Sequence, residues 1–214
     1  MANDKSTSPA LHTLVVGDEP AAWAAAGFTL SGADANEVVI GPIGIRLIGG
    51  DRRGVVAWEY TGLEDDGSLD GLLTLVRPEP KREQTPHANL VSSIDHVVVM
   101  SPDVERTVTA LRVTGFEPRR RRVLENATPP RQQVFFWAGP TILELVGPLE
   151  PTSSEPSSIW GLAVVSEDIA GSKHVLGDLL SDPKDAVQPG RQIATVRTKQ
   201  LDISITVALM SPHE

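Results

Sequence analysis

Short runs of β-branched and aliphatic residues, separated by glycine, proline and polar residues, dominate the hydrophobic pattern and predict strands. In the first part of the chain this pattern predicts a β-α-β-β-β order. The alanine-rich stretch that Gly27 ends is typical of a helix. The predicted elements are a strand at 11–16, a helix at 21–26 and strands at 28–30, 36–40 and 43–48.

The same order returns after Ser93. Val104, Val108 and Leu111 follow helical spacing and predict a helix ending near Val113. Strands are predicted around it, at 94–100, 121–124, 132–137 and 141–146. Residues 41–49 (GPIGIRLIG) align without a gap with residues 139–147 (GPTILELVG). This match indicates an internal repeat, which outranks any local motif.

Two further copies of the unit are predicted. One begins with a strand at 159–165, continues with a helix that carries Ile169, Leu176 and Leu180, and closes with a hairpin at 191–196 and 201–207. The other is shortened: it begins at 55–62, where Trp58 is matched to Trp160, and continues with a helix predicted at 69–75. Residues 77–89 are rich in proline and charge, which is typical of a linker.

The pattern therefore predicts an α+β fold built from repeated βαβββ modules. We expect a disordered tail over residues 1–9, a reduced N-terminal unit over 10–76, a linker over 77–92 and a complete two-module domain over 93–212. Because an exposed sheet edge promotes aggregation, we expect the reduced unit to pack its open sheet on the complete domain or on a second subunit, as in a homodimer.

Composition narrows the classes of function. The formal net charge is −9 and the isoelectric point is near 5.0, which argues against nucleic-acid and anionic-membrane partners. The chain has no cysteine, which excludes disulfides, thiol catalysis and thiolate zinc sites. No apolar run approaches the roughly 20 residues that span a bilayer. We therefore expect a soluble, cytoplasmic protein that binds a small molecule.

His96 and Glu144 are the leading candidates for chemistry. His96 lies on a predicted first strand, where period-two alternation places it on one face with Ile94 and Val98. Glu144 lies at the centre of a predicted last strand, among aliphatic residues. A buried glutamate is costly unless it is paired or coordinates a metal. The two side chains are therefore a candidate pair of metal ligands.

Repeated β-α-β-β-β units with a histidine on the first strand and a glutamate on the last resemble the vicinal oxygen chelate superfamily. That group includes glyoxalase I, extradiol dioxygenases and bleomycin-resistance proteins. The phrases Ile94-Asp-His-Val-Val-Val and Ile142-Leu-Glu-Leu-Val-Gly-Pro carry the resemblance, which covers one complete two-module domain over residues 93–210. It implies paired curved sheets around a cavity and one divalent metal (Zn, Ni, Fe or Mn).

The resemblance also implies two more ligands, which the sequence does not supply. Gly161 falls where the second histidine is expected, and Ser204 takes the place of the second glutamate. Asp202 shares the predicted cavity face and is the candidate substitute ligand. Since a catalytic metal usually needs three protein ligands, the expected site is incomplete. The alternatives are a hydrogen-bonded His96–Glu144 pair and a metal-free acid–base or substrate-anchoring pair.

The remaining candidates lie around this pair and in the N-terminal unit. Aromatic and amide side chains are typical of both a pocket lining and a core. The Arg119–Arg122 run fits either a solvated strand edge or an anion contact by Arg120 or Arg122. The N-terminal copy is either a degenerate duplicate kept for packing or a second, salt-bridged site in which Arg46 holds a substrate carboxylate. The predicted pocket residues are Gln133, Phe135, Trp137, Trp160, Arg122 and Ser204; the second site is His12 in the histidine position, Arg46 in place of the glutamate, and Glu59; and His87, His174 and His213 are expected on the surface.

Three functions follow from these predictions. The first is a protein of the glyoxalase and bleomycin-resistance type that binds a small anionic or oxygen-rich molecule beside an incomplete metal site. The second is a divalent-metal-dependent lyase, isomerase or dioxygenase in which His96 and Glu144 are ligands and an enolate-like charge is stabilised. The third is a non-catalytic oligomerising scaffold.

Overall fold

The computed structural model describes residues 8–125 and 127–213, so most of the tail predicted over residues 1–9 lies outside the described residues. Two mixed sheets and a few short helices make up this part of the chain. The helices are α1 (Pro20–Ala25), α2 (Val104–Val113) and α3 (Ile169–Leu176), with single 3-10 turns at Gly177–Leu179 and Thr198–Leu201. None of the described helices has the length and apolar composition needed to span a bilayer.

The first sheet has seven strands in the order β2-β3-β4-β1-β5-β7-β6. Its centre is β1, which runs parallel to β4 and antiparallel to β5. The strands are β1 (Ala10–Val16), β2 (Leu30–Ser31), β3 (Glu37–Ile40), β4 (Ile43–Leu47), β5 (Val55–Thr61), β6 (Gly67–Leu69) and β7 (Leu72–Val76).

The second sheet repeats that arrangement with eight strands in the order β13-β14-β15-β12-β8-β11-β10-β9. Its centre is β8, parallel to β11 and antiparallel to β12. The predicted α+β fold of paired, repeated modules is confirmed. The strands are β8 (Val91–Met100), β9 (Pro118–Leu124), β10 (Arg131–Ala138), β11 (Thr141–Pro148), β12 (Ser158–Ser166), β13 (Lys184–Asp185), β14 (Gln192–Thr195) and β15 (Thr206–Met210).

The helix predicted over residues 69–75 is wrong. These residues form the β6–β7 hairpin, which turns at Asp70 and Gly71 with φ of 50° and 89°. Two successive residues with positive φ make a type I′ turn, and the Asp-Gly pair is its usual sequence. The alternation of Leu72 and Thr74 into the interior confirms strand rather than helix periodicity.

The bounds predicted for the last strand, residues 201–207, are also wrong, because the observed strand is Thr206–Met210. The chain makes a 3-10 turn at Thr198–Leu201, and Asp202 adopts a left-handed backbone with φ of 58°. The last strand then begins at Thr206. This shift moves Asp202 and Ser204 out of the strand and into the loop that precedes it.

A β-bulge recurs on the first strand of all four modules. The pairing register shifts at His12 on β1, at Val56 on β5, at Asp95 on β8 and at Trp160 on β12. A bulge places two neighbouring residues opposite one residue of the partner strand and breaks the alternation. On β8 both Asp95 and His96 therefore face the cavity, while Ile94 joins the core, contrary to the predicted sharing of a face by Ile94 and His96.

The two sheets share one continuous cluster of buried apolar side chains. Tyr60 of the first sheet packs edge-on against Phe116, which follows α2, with ring centroids 5.6 Å apart. The β6–β7 turn also contacts the second half of the chain, because the Asp70 carboxylate accepts hydrogen bonds from Arg106 and Ser157, at 2.6 Å each.

The segment between the sheets, residues 77–90, is exposed over most of its length but contacts the first sheet through Arg82, Gln84 and His87. His87, predicted on the surface, is buried: its Nδ1 accepts from the Thr29 N–H at 3.0 Å and its Nε2 donates to the Val39 carbonyl at 2.9 Å. Burial lowers the pKa of His87. The side chains of His174 and His213 are exposed, as predicted.

Candidate functional site

A cavity of about 400 Å³ lies on one face of the second sheet. Strands β8 to β11 form one wall, and the loop between β13 and β14 together with β15 forms the other. The polar lining is Asp95, His96, Arg119, Arg120, Arg122, Gln133, Glu144 and Gln188; the apolar lining is Phe135, Phe136, Trp137, Ile142, Ala186, Val187, Ile193 and Met210.

A row of three side chains forms the floor of this cavity. The His96 ring lies between two carboxylates, with Nδ1 2.8 Å from Asp95 Oδ2 and Nε2 3.1 Å from Glu144 Oε2. The bulge at Asp95 brings the first carboxylate to the ring, and the parallel pairing of β8 with β11 brings the second. The predicted contact between His96 and Glu144 is therefore present. Asp95 joins them, although strand alternation assigned it to the opposite face of β8.

The two contacts of the ring differ in kind. Nδ1 is hydrogen-bonded to the Asp95 carboxylate, whereas Nε2 lies within ion-pair distance of Glu144 without a hydrogen bond. Burial raises the pKa of Glu144, and it outweighs the opposing charges of His96 and Arg122.

Arg191 supports the other end of the row. This buried arginine donates from Nη1 to Asp95 Oδ1 at 2.8 Å and from Nε to the Ser211 carbonyl at 2.7 Å. Burial alone would raise the pKa of Asp95, but hydrogen bonds from His96 and Arg191 outweigh it and lower the pKa to about 2. Asp95 is therefore a permanent anion that fixes the orientation of the His96 ring.

Beyond Glu144 the row continues to the arginine-rich strand. Gln133 donates from Nε2 to Glu144 Oε1 and accepts from Arg122 Nε. The Arg122 guanidinium lies over the Phe135 ring, 5.5 Å from its centroid. Trp137 lines the same wall and keeps 54% of its surface exposed. Polar contacts thus lead from Arg191 across the sheet to Arg122.

Six of the predicted site residues are brought together by the fold. Their side chains come from β8, β9, β10 and β11, the strands of the first module of the second sheet. They are His96, Glu144, Arg122, Gln133, Phe135 and Trp137.

Three predicted site residues lie elsewhere. Trp160 bulges out of β12 away from the cavity and is 52% exposed. The Asp202 side chain is 82% exposed and pairs with Arg53 at 2.9 Å. Ser204 accepts a hydrogen bond at 2.8 Å from the Gly54 N–H of the first half of the chain. Asp202 and Ser204 were misassigned because the last strand starts later than predicted, and Trp160 was misassigned because the register shifts at this residue of β12.

The donor atoms do not fit a divalent metal. The pairing of His96 with Ile142 on β8–β11 corresponds to that of Gly161 with Thr206 on β12–β15, which puts Ala208 in the position of Glu144. Neither Gly161 nor Ala208 has a donor atom. Within residues 8–125 and 127–213 no group of three His, Cys, Asp or Glu side chains could hold a metal ion. The Asp95 and Glu144 carboxylates contact opposite nitrogens of the His96 ring, so the three side chains do not converge on one point as the three protein ligands of a metal usually do.

The residues predicted for the second site, on the first sheet, are not arranged as expected. Thr13 pairs with Gly44 as His96 pairs with Ile142, so Thr13 takes the histidine position and His12 corresponds to Asp95. His12 is buried, with Nε2 3.1 Å from the Arg77 carbonyl. It is not part of the ion pair between Arg46 and Glu59.

The Arg46–Glu59 pair itself is present, at 2.8 and 3.2 Å. Glu59 nevertheless does not occupy a first-strand ligand position. It faces Thr13 across the β1–β5 ladder, whereas Ala163 faces His96 in the second sheet. The match of Trp58 to Trp160 was therefore out of register, and Trp58 is a fully buried core residue.

Sequence reasoning missed Asp95, Arg191 and Gln188. Asp95 adjoins His96, and alternation assigned it to the opposite face; only a bulge reverses that assignment. Arg191 and Gln188 lie in a loop far along the chain, and no sequence signal connects them with β8.

Comparison with family models and with curated proteins gives no match. Among solved structures, a mutant of 4-hydroxymandelate synthase from Streptomyces coelicolor matches with a TM-score of 0.63 at 10% identity, over 95% of this chain and 92% of that one. A xylose isomerase-like TIM barrel/4-hydroxyphenylpyruvate dioxygenase fusion protein matches with a TM-score of 0.64 at 13% identity, over 94% of this chain and 48% of that one.

A methylmalonyl-CoA epimerase from Mycobacterium tuberculosis matches with a TM-score of 0.47 at 15% identity, over 62% of this chain and 94% of that one. Identities this low establish the fold alone. The two longer matches span both sheets and agree with the repeated modules. The chain therefore has the fold of the vicinal oxygen chelate superfamily.

Proposed function

We propose that the protein binds a small carboxylate with an apolar body in the cavity of the second sheet, without a divalent metal. The observation that carries this proposal is the excess of arginine over unpaired carboxylate in the lining. Asp95 is neutralised by Arg191 and Glu144 faces His96. Within the described residues, neither Arg119 nor Arg120 forms an ion pair with a carboxylate.

An anionic group suits these arginines. A guanidinium presents planar N–H donors that match the two oxygens of a carboxylate, and such charge-assisted pairs are stronger than neutral hydrogen bonds. The chain as a whole is strongly acidic, so a cavity lined by three arginines of β9 differs in charge from the rest of the molecule. This contrast supports an anionic ligand that binds specifically in the cavity, rather than anions that bind anywhere on the surface.

The apolar part of the lining suits an apolar body. Val187, Ile193 and Met210 lie opposite the arginines, and Ile142 and the half-exposed ring of Trp137 lie on the same wall as the arginines. The volume of about 400 Å³ lies within the range of small-molecule pockets. Two chemically different ends favour an aryl or branched-chain carboxylate over a sugar or a bare inorganic anion.

Binding of such carboxylates is measured by calorimetry on the full chain, with the matching neutral amides for comparison. We expect Arg120→Gln to weaken carboxylate binding by about 10–100-fold, since a charge-assisted hydrogen bond contributes about 1.5–3 kcal/mol. Arg121→Gln is the matched control, because Arg121 contacts Glu105 on the other side of the strand. Equal losses in both variants, or equal affinity for acid and amide, would contradict the proposal.

The same measurement separates metal-free from metal-dependent binding. Because the donor set is incomplete, the affinity should be the same in a chelator as with added Zn²⁺, Ni²⁺, Fe²⁺ or Mn²⁺. Affinity that requires one of these ions would instead support the metal-dependent lyase, isomerase or dioxygenase.

A second candidate function is proton transfer at a carbon of the bound acid. It is favoured by one observation, the Glu144 carboxyl of raised pKa beside a ring that Asp95 orients. A carboxyl group of this kind is a suitable general acid or base. Incubation of the bound acid in D₂O should then exchange the proton next to its carboxylate, and Glu144→Gln should abolish this exchange. Absence of exchange in the unmodified protein would rule out proton transfer, and binding would then be the only proposed function that remains.

A further inference from the structure

The first sheet contains a second copy of the site just described, with different side chains. Pairing of β1 with β4 matches pairing of β8 with β11, so Thr13 and Gly44 take the positions of His96 and Ile142. Pairing of β3 with β4 likewise matches pairing of β10 with β11, and it places Glu37 beside them. The same face of the fold is therefore present twice in the chain.

Arg82, from the segment that joins the two sheets, fills this second copy. Its side chain is 5% exposed. Nε and Nη2 donate to Glu37 Oε1 at 3.0 and 2.9 Å, Nη2 also donates to Thr13 Oγ1 at 2.8 Å, and Nη1 donates to the His12 carbonyl at 3.0 Å. The guanidinium is thus surrounded by oxygen acceptors of three different kinds.

Gly44 leaves the room that this group occupies. A Cβ atom at residue 44 would lie 2.4 Å from both Nε and Nη2 of Arg82. The corresponding residue of the second sheet, Ile142, has a full side chain that lines the open cavity. The absence of a side chain at Gly44 is therefore what makes a guanidinium-sized recess on the first sheet.

We propose that this face of the first sheet is a guanidinium-binding site whose resident ligand is the chain's own Arg82, and that only the second sheet takes a diffusible ligand. Carboxylate, hydroxyl and carbonyl oxygens in one recess select a planar cation with several N–H donors. The two copies have therefore become opposite in charge preference: the first holds an internal cation, and the second presents arginines to an anion.

The backbone on either side of Arg82 is anchored independently. The Arg77 carbonyl contacts His12 Nε2 at 3.1 Å, and Gln84 Nε2 donates to the Gly41 carbonyl at 2.5 Å. Removal of the Arg82 side chain should therefore leave the segment in place and open a recess of guanidinium size.

The test is the thermal unfolding midpoint of the full-length Arg82→Ala variant in low-millimolar methylguanidinium chloride, against the same concentration of NaCl. We expect methylguanidinium to raise the midpoint of the variant in a saturable way, as a ligand specific for the folded state does, and to leave the unmodified protein unchanged. The combined variant Arg82→Ala/Gly44→Val is the control, because a valine fills the recess and should abolish the rise.

An equal response of the unmodified protein and the variant, or no response of the variant, would overturn the assignment. If Arg82→Ala does not fold, exchange of the arginine Nε–H protons of the unmodified protein is measured by ¹⁵N NMR. One arginine assigned as Arg82 should exchange far more slowly than exposed arginines such as Arg53, and fast exchange would refute the site. Carboxylate binding to the second sheet is measured separately. Arg82→Ala should leave its stoichiometry at one ligand per chain.

Discussion

The charge on single residues decides how the floor of the cavity is built. His96 can lie between two carboxylates only because Arg191 compensates one of them. Arg191 is itself buried, so the ion pair adds little net stability to the fold. Removing one partner would nevertheless be costly, because it would leave the other charge buried and uncompensated. The row is consequently anchored at the Asp95 end, where hydrogen bonds from His96 and Arg191 hold the carboxylate.

Replacing Asp95 by asparagine should destabilise the protein strongly. The substitution keeps the shape of the side chain and leaves the Arg191 charge buried without a partner, which typically costs about 3–5 kcal/mol. The free energy of unfolding is measured by urea denaturation. The control is Asp182→Asn, since Asp182 is 94% exposed beside Lys173 and should change stability by less than about 1 kcal/mol. Similar effects of the two substitutions would show that Arg191 is not held by Asp95.

Two elements, the bulged strand β12 and its partner β15, decide why the metal site is incomplete. Gly161 occupies the position that His96 has on β8, but a Cβ atom there would lie 2.4 Å from the Thr206 carbonyl oxygen. The strands are too close for any side chain at this position. The missing ligand is therefore a consequence of how closely these strands approach each other.

Gly161→Ala should consequently cost about 1–3 kcal/mol of unfolding free energy, the usual range for overpacking a tight interior position. Gly67→Ala is the matched control, because a Cβ atom at Gly67 of β6 would meet nothing within 4 Å. Chemical denaturation of both variants checks the expectation. If Gly161→Ala left the unfolding free energy unchanged, β12 and β15 would be able to separate, and a histidine could be accommodated there.

Sequence periodicity predicted the cavity elements well where alternation is regular. Gln133, Phe135 and Trp137 on β10 were predicted on one face, and all three line the cavity beside Glu144, which pairs with Phe135. It failed at Asp95, because a bulge is set by the pairing of β8 with β12 rather than by the residues of β8 alone. It failed at Ser204 because hydrogen bonds to the first half of the chain fix that loop.

At the scale of the whole molecule, two carboxylates hold the sheets together. Asp70 reaches Arg106, Thr107 and Ser157 of the second half. Asp18 is completely buried and accepts the Ser204 N–H at 3.1 Å. With a shared apolar core as well, the two sheets should unfold in one transition.

The Asp70 contact should make stability depend on pH in a defined direction. Burial, the largest single effect, would raise the pKa of Asp70, but hydrogen bonds from Arg106, Ser157 and Thr107 together outweigh it and lower the pKa. A folded-state pKa below the ordinary value of 3.8 stabilises the protein above that pH, and the stabilisation is lost as the pH falls through the folded-state pKa.

Asp70→Asn should therefore cost roughly 1–3 kcal/mol at neutral pH, and the difference from the unmodified protein should shrink as the pH falls below about 4. Urea denaturation across the pH range measures this difference. Asp65→Asn, at an exposed site in the loop between β5 and β6, should show little effect at any pH. A difference for Asp70→Asn that grows towards acid pH would contradict the assigned direction.

The sequence by itself determined the repeated βαβββ order, the strands that face the cavity and the pairing of His96 with Glu144, because these depend on local periodicity and on a repeat that copies one local pattern. Tertiary structure alone decided the bulge that adds Asp95, the approach of Arg191, the exclusion of Asp202 and Ser204 from the cavity, and the burial of Arg82 in the first sheet. Each of these depends on contacts between residues far apart in the chain, and the register and spacing of strands that set such contacts leave no trace in local periodicity.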